Sequence, residues 1–337
     1  MIITKTPVRV SLLGGGTDYP TWSRKHGGIV VGGAINKYSY VMARYLPPFH
    51  EYRTRLVYRE IETVNDVTEI RHQAARAVIE RLGLQDKGLE VFHAADLPGR
   101  SGTGSSSTFV VGLLNTLSAL HGRRMLPYEL TEEAIRIEQG VLGETVGCQD
   151  QAWAAYGGVN TIRFRQDGEI CVEPLVLDAD HIAELEAHLM LFFTKMPRTS
   201  SEVAKTYALS LEEKAREQFA MMRLAEAGID AIYRRDYERL GDLIDQSWRI
   251  KSGLSSSVTN EAINRTYAAA RLAGALGGKL TGAGGGGCMV LVVPPQKRQA
   301  VIEALPDSVH IPFGFDFGGS TVIFSDKDNI REYRHSS

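Results

Sequence analysis

Cysteine is scarce in this chain. Only Cys148, Cys171 and Cys288 occur, far apart and without a C-x-x-C pair. That pattern argues against a disulfide framework or a thiolate zinc site and fits a reducing compartment. Long apolar runs are missing as well: no stretch approaches the roughly 18 apolar residues needed to cross a bilayer. The start, MIITKTPVRVSLLGG, lacks a charged leader ahead of a long apolar segment, so no signal peptide is expected. Nor does charge of one sign accumulate, the formal net charge being -2. Neither nucleic acid nor an anionic membrane is expected as a partner, although one pocket can still be basic. A cytoplasmic enzyme is the expectation, and composition leaves a homodimer open.

What is present is an ordinary globular composition, 43% hydrophobic and 23% charged, over 337 residues. That length exceeds the usual single core and predicts two domains, 1–175 and 176–337. Ile2 to Leu13 alternates and is rich in β-branched residues, so it reads as a strand running into Gly14-Gly15-Gly16. Further strands are expected over Gly28 to Ala43, Leu56 to Ile61 and Leu89 to Ala94. Ala74, Val78 and Leu82 mark an amphipathic helix. Thr108 to Leu120 is apolar on most faces and predicts a buried helix, followed by helices over Tyr128 to Leu142 and Asp150 to Tyr156. A hairpin turns at Asp167-Gly168. The second half carries a strand at His188 to Thr194 and helices over Glu202 to Ala227, Tyr237 to Lys251 and Asn260 to Leu276. Cys288 to Val293 reads as a strand, Gln296 to Leu305 as a helix and Ser320 to Phe324 as a late strand. The mixture is α+β.

Gly99 to Ser107 reads GRSGTGSSS and leads into the apolar helix. Glycines let backbone N–H groups converge on an anion, and a helix N-terminus adds unpaired donors. The lysine of a Walker A loop is absent, so this is not a standard P-loop; an N-capped helix after a flexible turn is the other reading. Gly282 to Gly287 matches G-x-G-x-x-G, but a strand follows where a dinucleotide site would need a helix. It reads as a mobile loop, or as close backbone approach to another loop or a ligand. Gly14-Gly15-Gly16-Thr17-Asp18 reads as a capped turn or as a strand end offering a carboxylate to sugar hydroxyls.

Three segments, Pro7 to Asp18 (PVRVSLLGGGTD), Leu97 to Thr108 (LPGRSGTGSSST) and Lys279 to Met289 (KLTGAGGGGCM), together resemble the GHMP kinase superfamily over nearly the whole chain. Within it, GGGTD, Val146 to Gln151 (VGCQDQ) and Trp248 to Lys251 (WRIK) are similar to the D-glycero-D-manno-heptose 7-phosphate kinases. The resemblance implies an N-terminal ribosomal protein S5 domain 2-like domain and a ferredoxin-like C-terminal domain, with the active site between them. It implies ATP and Mg2+, and transfer of a phosphoryl group to the anomeric C1 hydroxyl of heptose 7-phosphate. The 1,7-bisphosphate product would serve a GDP-heptose route to surface polysaccharide. Competing readings are a kinase for fucose or galactose and, from a different class, a diphosphate decarboxylase of the same fold.

The same resemblance assigns residues. Asp150 aligns with the carboxylate that faces the attacking hydroxyl and can accept its proton late; it also suits an N-cap. Arg9 aligns with a basic residue able to stabilise transferring charge, or is a strand arginine at the surface. Pro98, Gly99, Arg100, Ser101, Gly102, Thr103, Gly104, Ser105, Ser106 and Ser107 would cradle ATP. Ser106 and Glu138 would meet the metal, Glu138 standing one residue further from the aspartate than in mevalonate kinase. Gly16, Thr17, Asp18, Gly284 and Gly285 would hold the sugar. Arg198, Lys195, Arg24 and Lys251 are candidates for its phosphate, and 56–66 for adenine.

Overall fold

The computed structural model describes residues 1–196, 213–255 and 257–326. β1 (Ile2–Leu13) is buried alternately at first and then continuously, because both of its faces become covered as it runs inward. α1 (Pro20–His26) follows, then β2 (Gly28–Tyr45), which pairs antiparallel with β1. β3 (Thr54–Val57) and β4 (Ile61–Val64) form a hairpin ahead of α2 (Gln73–Arg81) and β5 (Leu89–Ala95). α3 (Ser105–Leu120) and α4 (Pro127–Ile135) come next. A π-helical turn, Arg136–Val141, separates α4 from α5 (Gln149–Tyr156). β6 (Val159–Phe164) and β7 (Ile170–Pro174) close the first half.

The second half contains α6 (Ala179–His188), β8 (Leu189–Phe193), α7 (Ala215–Tyr233), α8 (Tyr237–Leu254) and α9 (Glu261–Leu272). β9 (Gly277–Leu280), β10 (Cys288–Val292), α10 (Arg298–Ala304), β11 (Val309–Ile311) and β12 (Thr321–Ser325) complete it. Among the described residues one sheet has eight strands, in the order β12-β1-β2-β5-β3-β4 with β6 and β7 attached through β2. The other is antiparallel, in the order β11-β8-β10-β9. This is the expected α+β architecture. β12 pairs with β1, so the chain's last described strand joins the first sheet and not the half of the sequence it belongs to. No described helix is long and apolar enough to cross a membrane.

α3 lies across β1 and β2 and is apolar nearly all round; Leu113, Leu114 and Leu117 have no exposed surface. Gly112 lets it approach β1, since a Cβ there would stand 2.9 Å from Thr6 Oγ1. A second core, including Val10, Leu12, Ile29, Leu191, Leu243 and Val290, joins the first sheet to α7, α8 and the second sheet. The cleft described below opens where these two bodies meet.

Several expectations needed correction. The single strand over 56–61 is the β3–β4 hairpin, turning at the charged residues Arg59 and Glu60, with Tyr58 N–H donating to Glu60 O at 2.9 Å. The helix over 128–142 breaks into α4 and the wider π turn. α3 starts at Ser105, so Ser105–Ser107 belong to its first turn. α6 is an addition to the expected elements, and its N-cap signal is Asp178, whose carboxylate accepts from His181 N–H at 2.7 Å. The helix expected over 202–227 is seen as α7 from residue 215; its part at 202–212 lies outside the described residues.

Because α3 is locked on all sides, Leu114→Ala should cost about 2–5 kcal/mol through the cavity it leaves. Urea unfolding should show a lowered midpoint with an unchanged slope; a loss of unfolding free energy below about 1 kcal/mol would show that the site collapses to fill the space.

Candidate active site

A cleft of about 830 Å³ is walled by the end of β1, the N-termini of α3 and α5, the 142–147 loop and, from the second half, Lys251, Lys279, Gly282 and Ala283. The phosphate-type loop is held from both sides. Arg9 N–H donates to Thr103 O at 3.1 Å, and Cys288 N–H donates to Ser101 O at 2.7 Å. A Cβ on Gly287 would fall 2.4 Å from Ser101 O, so the second glycine run lies against the first, backbone to backbone.

Arg9 projects from β1 and is 3% exposed. Its Nε and Nη2 donate to Asp150 Oδ1 and Oδ2, each at 2.8 Å, and its Nη1 donates to Gly102 O. This two-pronged geometry fixes the carboxylate's plane as well as its distance. Asp150 sits in the first turn of α5, and Gly104 (φ +80°) leaves room for it: a Cβ there would stand 3.1 Å from Asp150 Oδ2. No side chain caps α3. The backbone N–H groups of its first turn, at Ser105, Ser106 and Ser107, therefore remain available to an anion in the cleft.

Two further carboxylates are buried here. Glu138 lies in the π turn, whose extra residue per turn directs it inward. Ser107 Oγ donates to both its oxygens, at 3.0 and 2.9 Å, and Gln151 Nε2 donates to Oε2. Burial pushes the Glu138 carboxyl up to about 8, the hydrogen bonds from Gln151 and Ser107 opposing it and Glu144 and Asp150 adding to it. Asp18 is 1% exposed and accepts from Gly16 N–H, Gln149 N–H and Gln149 Nε2 at 3.1, 3.3 and 2.9 Å. Burial raises its pKa, with the charge of Asp150 adding to the effect. A Cβ on Gly147 would overlap Asp18 Oδ2 at 1.8 Å. The run Gly147 to Gln151 thus serves all three carboxylates: glycine for approach, Gln149 on Asp18, Asp150 on Arg9 and Gln151 on Glu138.

The structure brings together Arg9, Gly16, Asp18, Arg100, Gly102, Gly104, Ser105, Ser106, Ser107, Glu138 and Asp150, all lining the cleft. It places other expected residues elsewhere. The Thr17 hydroxyl donates toward the Gly14 and Ile29 carbonyls, 2.9 Å from each, and accepts Ile29 N–H at 3.0 Å, so it is spent on the turn. Ser101 and Thr103 are buried, with their hydroxyls 2.7 Å apart, and Pro98 and Gly99 lie outside the lining. Gly284 and Gly285 pack under Val258, with Gly285 N–H donating to Val258 O at 2.8 Å; Gly282 and Ala283 line the cleft in their stead.

Glu138 is met by Ser107 and not by Ser106, which is exposed at the cleft mouth. Arg24 donates to Asp167 O at the hairpin tip, Lys195 is outside the lining, and Arg198 lies outside the described residues. The 56–66 hairpin does not line this cleft. Ser11, Gln149, Gln151 and Lys279 are site residues that went unnamed. The strand period could have found Ser11, since residues 9 and 11 of β1 share a face.

The raised Glu138 pKa has a signed consequence. Unfolded, the carboxyl ionises near 4.5; folded, it keeps its proton up to about 8. The native state binds the extra proton across that window, so stability is full below about 4.5 and is lost as pH rises toward 8. The melting temperature of protein free of nucleotide and metal should fall from about pH 5 to pH 8, and Glu138→Gln should flatten the decline. An identical slope in that variant would assign the effect to another group.

Residues 69–158 match the GHMP kinases N terminal domain, and residues 229–311 match the GHMP kinases C terminal family. The D-glycero-alpha-D-manno-heptose 7-phosphate kinase of Campylobacter jejuni is 30% identical over 314 residues, covering 90% of this chain and 93% of that protein. A D-glycero-D-manno-heptose 1-phosphate kinase structure from Bacteroides thetaiotaomicron superposes with a TM-score of 0.80 at 24% identity, covering 96% of this chain and all of that one, 100%. Lactococcus lactis galactokinase, complexed with galactose, superposes at 0.74 with 19% identity, covering 95% and 94%. At such identities the two structures speak for the fold alone. With the paired family matches and the 30% relative, the chain belongs to the GHMP kinase family and is an ATP-dependent kinase.

Proposed function

We propose that this sugar kinase transfers the γ-phosphoryl group of ATP to the anomeric C1 hydroxyl of D-glycero-D-manno-heptose 7-phosphate, giving the 1,7-bisphosphate. The observation that carries the chemistry is the Arg9–Asp150 pair, set beside the uncapped N-terminus of α3 in one cleft. The full-length similarity to a heptose 7-phosphate kinase supports the choice of sugar. The product would feed a nucleotide-activated heptose for surface polysaccharide, a demand met in the ATP-rich cytoplasm.

In this reading the N–H groups at Ser105–Ser107 hold the triphosphate, while Asp18 accepts hydrogen bonds from sugar hydroxyls. Asp150, oriented by Arg9, aims the attacking hydroxyl and takes its proton as the new P–O bond forms. Arg9 stabilises the transferring group. Ser106 and Glu138 suit a magnesium ion: both line the cleft, both are hard oxygen donors, and the raised Glu138 pKa marks a carboxylate lacking a countercharge. Bound there, the ion would neutralise charge on the β- and γ-phosphates. No cluster of three His, Cys, Asp or Glu occurs among the described residues, in keeping with an ion carried largely by the nucleotide.

An ATP-dependent screen of heptoses, hexoses, fucose and their terminal phosphates, with the product's new phosphorus position read by phosphorus NMR, tests the assignment. Preferential C1 phosphorylation of the heptose 7-phosphate is expected; preference for a free hexose or fucose sinks the choice of sugar. Asp150→Asn should lower kcat by about 10²–10⁴-fold while ATP binding, followed calorimetrically, stays within a few-fold. Undiminished turnover would remove Asp150 from the mechanism.

A further inference from the structure

Two buried polar groups in the cleft have no assigned task. Lys279, on β9, is 2% exposed, yet its ammonium makes no hydrogen bond or ion pair among the described residues. Ser11, on β1, is 3% exposed and its Oγ has no hydrogen-bond partner among the described residues. Both line the cleft. A Cβ on Gly15 would stand 3.8 Å from Ser11 Oγ and 3.9 Å from Lys279 Nζ, so the two atoms face one small space above the Gly15 backbone. The charged groups that face Lys279 are Lys251, Arg9 and Asp18, and burial and the two cations hold its pKa well below the ordinary value.

Buried polar groups are normally paired, and a buried ammonium without a partner is costly. Arg9 is already neutralised by Asp150, and Lys251 donates to Gly282 O. Lys279 is left with no countercharge in contact. Along β1 and the turn that follows it, the order Arg9, Ser11, Gly15 runs from the 99–107 loop, met at Thr103 O, toward Asp18. The space therefore lies on the acceptor's side of Arg9, apart from the α3 N-terminus that serves ATP. An ammonium with three donors, a hydroxyl and a second buried lysine nearby match a group carrying two charges and three acceptor oxygens.

We infer that Lys279 and Ser11 form an anion subsite that holds the phosphate of the acceptor sugar, making Lys279 the residue that selects phosphorylated over free sugars. The identity of that anion rests on the heptose 7-phosphate reading; the existence of the subsite does not. In the family resemblance the K-L-T-G-A-G run figured only through its glycines; of the other candidate cations, Lys195 and Arg24 are outside the cleft lining.

The test compares wild type with Lys279→Met and Ser11→Ala on a terminally phosphorylated sugar and on its free form. For Lys279→Met the ratio of kcat/KM between the two acceptors should fall roughly 10- to 100-fold, the effect of losing a charged hydrogen bond. Ser11→Ala should lower it by a smaller factor. An unchanged ratio, or a loss confined to the KM for ATP, overturns the assignment. A second measurement needs no turnover: inorganic phosphate, added with ADP filling the nucleotide site, should raise the melting temperature of wild type more than that of Lys279→Met. Equal shifts overturn the subsite while leaving the kinase reading intact. A Lys279-dependent shift in a wild type that turns over only free sugars upholds the subsite and overturns the phosphate-sugar substrate.

Discussion

The Arg9–Asp150 pair is the interaction on which the cleft depends. It joins β1, the inner strand of the first sheet, to α5, and its third donor reaches Gly102 O in the phosphate loop. One guanidinium thereby fixes three pieces of backbone and a carboxylate's orientation. Arg9 suits this task because its donors form a rigid fork; a lysine would supply charge without the plane. The side chain of Asp150 stays 24% exposed, as its proposed place beside an incoming hydroxyl requires.

The glycine runs are explained by backbone proximity more than by flexibility. Gly287 meets Ser101, and a Cβ on Gly102 would stand 2.7 Å from Thr281 O. The 99–107 loop is thus clamped between β1 and the β9–β10 turn, and the two halves of the chain are tied beside the α3 N-terminus. A larger residue at either contact would force the loops apart and widen the cleft at the α3 N-terminus.

The cleft concentrates charge that the free protein tolerates poorly. Asp18 and Glu138 have carboxyls raised mainly by burial, while Lys279 is driven the opposite way by the same cause. Groups shifted in opposite directions in one cavity mark a place shaped for charged ligands, which would supply the missing countercharges. A ligand that binds only the folded state and supplies those countercharges would stabilise it.

Much of this was written in the sequence by itself. β-branched alternation marked β1, the all-apolar pattern marked α3, and three glycine motifs in order identified the family, because local backbone geometry and close approach demand particular residue types. Asp150, Arg9 and Asp18, which line the cleft, were named as candidates on the same motifs. Tertiary structure alone decided the rest. Thr17 and Ser101 look like ligand residues until their hydroxyls are seen spent on neighbouring groups. Ser107, not Ser106, meets Glu138 because the helix begins at Ser105 and the π turn rotates the glutamate inward. β12 returns to the first sheet, and Lys279 is left without an ion-pair partner among the described residues, through contacts between residues far apart in the chain. Sequence spacing encodes period and local turn; it does not encode which buried polar atoms are left without partners, because that depends on everything packed around them.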